Sequence, residues 1–154
     1  MVTLLTFADG EPFATGAMAY FYSPATYWET TSRILLRLRV ADVPVTAIVD
    51  TGAPFVVCPP HMARRLDFSA SAALGRERLL VRGAWYEGRL YRLNITFDAD
   101  EGTSLTVDAT AFVPEDDADD EWSQWPVFVG LGGCLERMRF AIDPGTDTFY
   151  FGPL

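Results

Sequence analysis

The apolar stretch AIVDTGAPFVV, from Ala47 to Val57, carries a single acidic residue, Asp50. A carboxylate placed among such neighbours acquires hydrogen bonds, a shifted pKa, or both, because burying it unpaired is costly. Two readings fit. Asp50 either ends a strand and opens an ordinary turn at Thr51-Gly52, or it is a catalytic carboxylate held where a strand passes into a loop. In the second case it can hold a water and exchange a proton with another carboxylate. Gly52 then removes a Cβ where backbone runs close to the carboxylate, and Ala53 is small for the same reason.

The motif is not repeated. No other Asp-Thr-Gly or Asp-Ser-Gly occurs; Asp143 belongs to the turn sequence Asp143-Pro144-Gly145, and Asp108, in LTVDATAFV, has no glycine after it. The remaining reactive residues are few. Cys58 and Cys134 lie in apolar stretches and read as small packed hydrophobes. With the single His61 they make no recognisable ligand spacing, so no metal site is expected. His61 follows two prolines and reads as a surface or capping residue.

The elements that would hold Asp50 are mostly strands. GAMAYFYS, RILLRLRV, VPVTAIVD, PFVVC, RLLVRG, GRLYRLNITF, SLTVDATAFV, WPVFVG, RMRFAID and DTFYFG are short, apolar or alternating, and divided by Gly, Pro or Asp. Pro144-Gly145 marks a hairpin between the last two. Helix is scarce: PPHMARRLDF can start at Pro59 or Pro60, since proline suits a first helical turn, and CLERM can form one turn. The expected fold is all-β, a small closed β-barrel with one or two short helices.

At 154 residues with nearly half of them apolar, one packed domain is expected. A net charge of -9 and a pI near 4.4 argue against nucleic acid and against an anionic membrane surface as partners. The N-terminal MVTLLTFADGEPF lacks the basic start of a signal peptide, no apolar run is long enough to span a bilayer, and the default location is cytoplasmic. The segment PEDDADDEWSQWP, Pro114 to Pro126, breaks the pattern. Its carboxylates predict a solvated loop; the lesser reading is a docking surface for a basic partner at 115–121, with Trp122 and Trp125 as anchors.

An apolar strand ending in Asp50-Thr51-Gly52-Ala53, followed some eighty residues later by the apolar strand Val127-Phe128-Val129-Gly130, resembles the aspartic protease family, in particular its single-domain, retropepsin-like branch. The order of elements resembles that branch from about Arg33 to Gly152. The resemblance implies an acid-protease-like barrel over 33–154 in which the two strands cross in a ψ shape, preceded by an N-terminal extension, 1–32, that packs on the barrel or pairs with it. It implies a homodimer with Asp50 of each copy as the catalytic pair, sharing one proton as the aspartic protease dyad exemplifies. Thr51 would bond across the dimer axis, with Gly52, Ala53 and Gly130 supporting the loop. An extended peptide or protein would be the substrate, water the nucleophile, and no cofactor is needed.

The same resemblance calls for a flap over the substrate. LLVRGAWYEGRLYRL is the candidate: Gly83 and Gly88 bracket a bendable tip, and Trp85 and Tyr86 could lie on a peptide or else pack on the barrel. The chain departs from the family at position 54. Relatives often place Ser, Thr or Asp there, whereas Pro54 offers the carboxylate neither a side-chain donor nor an N–H. A rival expectation follows, a non-catalytic binding or assembly module on the same fold.

Overall fold

The computed structural model describes residues 3–66, 68, 72–115 and 119–154. Two adjoining strands set the frame, β5 (Arg33–Val40) and β6 (Val43–Asp50). In β5 the alternation sends Leu36, Leu38 and Val40 fully inward, while Arg37 and Arg39 lie on the opposite face. Ala41 and Asp42 join the two strands with φ of 46° and 67°, the positive pair that a right-twisted two-residue hairpin requires.

Four short strands precede them: β1 (Leu5–Thr6), β2 (Pro12–Ala14), β3 (Gly16–Ala19) and β4 (Phe21–Ser23). After β6 come β7 (Val56–Val57), helix α1 (Pro60–Arg65), β8 (Gly75–Val81), β9 (Ala84–Phe97), β10 (Glu101–Gly102), β11 (Leu105–Pro114) and α2 (Asp119–Trp122). The chain closes with β12 (Val127–Gly130), a 3-10 turn over Leu135–Arg137, β13 (Arg139–Asp143) and β14 (Thr148–Gly152). The large sheet runs β4-β5-β6-β12-β7-β11-β9-β8, and a further pairing of β5 with β9 at Arg39–Thr96 and Val40–Ile95 joins its six inner strands into a ring. A second sheet, β10-β3-β14-β13, holds the chain's last two strands against β3. The expected barrel, the helix beginning at Pro60, the turn after Cys134 and the hairpin at Pro144-Gly145 are all present.

Two expectations change. The run GAMAYFYS is divided at Tyr20, whose N–H donates to the Asp147 carbonyl at 3.0 Å, so that β3 joins one sheet and β4 the other. The acidic segment is not all solvated loop: α2 interrupts it, and Trp122 and Trp125 are only 2% and 8% exposed. They pack on Phe128 with ring centroids 6.3 and 5.5 Å away, which removes them as anchors for a partner. A buried indole hides roughly 150–250 Å². At about 25 cal/mol/Å² that is worth several kcal/mol, far more than the mutual repulsion of exposed carboxylates. Asp116 and Asp117 lie outside the described residues.

The core has two parts. One fills the ring with Leu36, Leu38, Ile95, Phe97, Phe149 and Phe151; the other joins Leu35, Ile48, Phe112 and Phe128 to Leu79 and the two tryptophans, beneath the β8–β9 hairpin. Cys58 and Cys134 are wholly buried free thiols, and burial pushes each up to about 12. No helix among the described residues is long and apolar enough to cross a membrane.

Candidate active site

Asp50 is the last residue of β6 and lies beside Gly130, its register partner in parallel β12. β12 is inserted between β6 and β7, the two arms of the loop that follows Asp50, because Phe128 also pairs with Val57. This is the ψ-shaped crossing. The loop turns tightly: the Gly52 N–H donates to Asp50 Oδ1 at 3.0 Å and the Ala53 N–H donates to the Asp50 carbonyl at 3.1 Å. Asp50 is half-buried, and Thr51, Gly52 and Pro54 are exposed.

Glycine is required under this loop for lack of room. A Cβ on Gly130 would run into the Phe55 carbonyl and stand 2.7 Å from that of Ala53; one on Gly132 would meet the Pro54 carbonyl oxygen. Gly132 also donates its N–H to the Ala53 carbonyl at 3.4 Å. Its supporting part was overlooked in the sequence, although the run Gly130-Leu131-Gly132-Gly133 signals a close backbone approach.

The β8–β9 hairpin reaches over this loop. Its tip is Arg82-Gly83, with φ of 52° and 81°, and a cavity of about 230 Å³ separates Leu79, Val81 and Arg82 from Asp50, Gly52 and Pro54. The expected Gly83–Gly88 bracket is therefore corrected. Gly83 belongs to the tip, but Gly88 lies within β9, pairs with Pro114 and packs so close to Phe112 that a Cβ has no space. Trp85 and Tyr86 are strand residues. Trp85 is 56% exposed with the Arg78 guanidinium 4.5 Å from its ring centre. Tyr86 meets Trp122 edge-on at 5.1 Å and donates its hydroxyl to the Glu121 carboxylate. That hydrogen bond, with burial, pushes the Tyr86 hydroxyl up to about 12.

Three charged residues that the sequence did not single out as site residues lie at or near this cavity. Arg33, at the start of β5, lines the same cavity as Asp50. The Glu29 carboxylate, 7% exposed, accepts from Arg33 at 2.9 Å and from Arg82 at 2.7 Å. The Arg33 hydrogen bonds above all, then Arg82, hold Glu29 down at about 2 against the opposing effect of burial. Arg33 rises in turn, mainly through Glu29, with Asp50 adding to it. Arg33 and Arg82 thus share the Glu29 carboxylate, and both line the cavity that Asp50 lines. No sequence signal ties Glu29 to Arg82, which is 53 residues away.

A larger cavity, about 580 Å³, lies apart from Asp50 between α1 and the sheet, with Arg76, Arg89 and Glu115 on its wall. His61 is away from the cleft as well; its Nε2–H donates to the Trp125 carbonyl at 3.2 Å. Among the described residues, no three His, Cys, Asp or Glu side chains gather as a metal site.

The chain has counterparts among known proteins in its central segment and in its fold. A family model described as aspartyl protease matches residues 36–107, the span holding Asp50 and the hairpin. No curated protein matches the chain in sequence. A retropepsin-like aspartic protease from Rickettsia conorii superposes with a TM-score of 0.59 at 18% identity, over 88% of this chain and 89% of that one. The EIAV protease, solved with an inhibitor bound, gives 0.43 at 15% identity over 67% of this chain and 86% of its own.

Proposed function

We infer that this chain, which has the retropepsin-like fold and matches the aspartyl protease family in its central segment, is an aspartic endopeptidase acting as a homodimer. One observation carries the reading. Asp50 ends a strand locked against β12, keeps one carboxylate oxygen on the Gly52 N–H, and lines a cleft under a hairpin. Each subunit contributes one such carboxylate, and the two share a proton because a pair this close does not ionise twice cheaply. The ionised member takes a proton from water as that oxygen attacks the peptide carbonyl carbon. The protonated member hydrogen-bonds the carbonyl oxygen, and the proton taken from water passes to the leaving nitrogen as the C–N bond breaks.

In the dimer the exposed Thr51 meets its twin across the two-fold axis. Residues 33–154 form the peptidase domain, with 1–32 as an extension whose β3 and β4 pair with β14 and β5 of the same chain. The substrate is an extended peptide between the Asp50 pair and the two hairpins. Water is the nucleophile and the carboxylate pair activates it, so the mechanism calls for no metal or organic cofactor.

Pro54 favours a second reading. It adds no donor to Asp50, whose carboxylate accepts only the Gly52 N–H among the described residues. A binding or assembly module on this fold would need nothing more. Dilution distinguishes the two: a two-chain enzyme loses specific activity below its dimer dissociation constant, and excess Asp50→Asn chain poisons it through mixed dimers. A protein monomeric by analytical ultracentrifugation that still cleaves peptides would refute the two-chain site, and no cleavage at any pH would favour the module.

A further inference from the structure

The hairpin tip over Asp50 is held by a contact that the reaction itself does not use. Glu29 lies in the segment before β5, and its carboxylate is fixed from several directions. Arg33 donates to it through Nε at 3.1 and 3.2 Å and through Nη2 at 2.9 Å, and the Ala25 N–H approaches it at 3.4 Å. The side chain is 7% exposed, so this anchor is set into the protein and does not wander in solvent.

Arg82 reaches that anchor from the hairpin tip. Its Nη2 donates to Glu29 Oε1 at 2.7 Å, and its guanidinium lies 3.8 Å from the centre of the Trp125 ring. Trp125 is itself buried, with Trp28 edge-on at 5.9 Å. The tip is thus gripped by two segments remote from it in sequence. Its backbone points the same way. Arg82 has a φ of 52°, a left-handed conformation that glycine or asparagine adopts more readily, so the residue's advantage at this turn lies in its side chain.

The space left beneath the gripped tip is small. At about 230 Å³ it falls below the roughly 300–1,000 Å³ of pockets that enclose drug-sized ligands, and an extended peptide is longer than those. Lower down, Tyr86 is tied to Glu121, so the part free to lift is the tip and its flanks at 80–85.

We propose that Glu29 anchors a latch, closed by Arg82, that holds the hairpin tip over Asp50 in the free chain, so that a peptide reaches Asp50 only when Arg82 leaves Glu29. The peptide half of this statement rests on the peptidase reading; the latch itself does not. One charge-assisted hydrogen bond to a buried carboxylate shifts such an opening equilibrium by about ten-fold or more.

Hydrogen exchange on the full chain tests it. Arg82→Gln leaves the Glu29–Arg33 pair in place and changes a half-exposed turn residue. It should speed exchange of the amides at 80–84 by about ten-fold while those of β5 and β6 stay as slow as in the wild type. Arg82→Lys, which keeps the charge, should recover most of the protection. Glu29→Gln should expose the same amides, and the double variant no more than either single one. If the buried Glu29 variant does not fold, the two Arg82 variants decide alone. Unchanged exchange at 80–84 in Arg82→Gln, or equal acceleration throughout the sheet, overturns the latch. In peptide cleavage, Arg82→Gln should raise kcat/KM several-fold with the pH profile unchanged; a fall would mean that Arg82 serves the bound peptide and is no latch. If the wild type cleaves nothing, the peptidase reading fails while exchange still decides the latch.

Discussion

Asp50 and Gly130 are register partners in adjacent parallel strands, and a Cβ on Gly130 would collide with the backbone of the loop that Asp50 begins. The carboxylate is therefore positioned by a contact between main chains. Gly130→Ala should lower stability by about 1–3 kcal/mol or more, since neither the Phe55 nor the Ala53 carbonyl belongs to a flexible side chain that could move aside. Thermal denaturation checks this. A Tm equal to that of the wild type would show that the loop yields easily.

Asp50→Asn should leave the fold intact and remove activity. The amide is nearly isosteric, and its oxygen still accepts the Gly52 N–H. It does not act as a base, so cleavage should fall by about 10²–10⁴-fold or more, with an unchanged circular dichroism spectrum as the folding control. Cleavage at the wild-type rate would take Asp50 out of the mechanism.

Activity should follow a bell-shaped pH profile. The proposed dimer needs one carboxylate as acid and its twin as base, so the rate should fall at both extremes of pH. A rate that climbs steadily with pH through neutrality would point to a base other than a carboxylate.

Glu29 gives stability its own pH dependence. Its folded pKa is lowered from 4.5 to about 2. Its stabilisation is thus complete above about 4.5 and is lost as pH falls through about 2. Urea midpoints for wild type and Glu29→Gln should differ most above pH 5 and converge as pH approaches 2. A gap that stays constant with pH would mean that Glu29 contributes by packing alone.

Trp122→Ala should cost about 3–5 kcal/mol by emptying a site beneath the hairpin, whereas Asp120→Asn, at an exposed position, should stay within about 0.5 kcal/mol. Chemical denaturation separates these easily. Comparable losses at the two positions would mean that the acidic segment itself is packed.

The strands around Asp50 were legible because their signals are local. RILLRLRV and VPVTAIVD match β5 and β6 residue for residue, since alternation and a turn pair define both ends. The hairpin was legible but its tip was not. Gly88 resembled a hinge, yet it is a strand glycine beneath Phe112, while the turn falls on Arg82, whose type gives no warning of a positive φ. Trp122 and Trp125 were hidden by their charged neighbours, which set the average polarity of the segment without deciding where two large rings go. Glu29 lay beyond reach because its partners come from four and 53 residues away, and only the folded hairpin brings Arg82 to it.

The insertion of β12 between β6 and β7 also bears on the order of folding. Until the strand from Val127 to Gly130 enters between them, each arm of the Asp50 loop has a neighbour on its outer side alone, β5 beside β6 and β11 beside β7. During synthesis from the N-terminus, everything up to the β8–β9 hairpin leaves the ribosome while that place is still empty. The Asp50 loop is then among the last parts to become ordered, and the high contact order of the crossing makes its closure slow. A nascent chain thus carries Asp50 without that backbone support until Val127–Gly130 has been made.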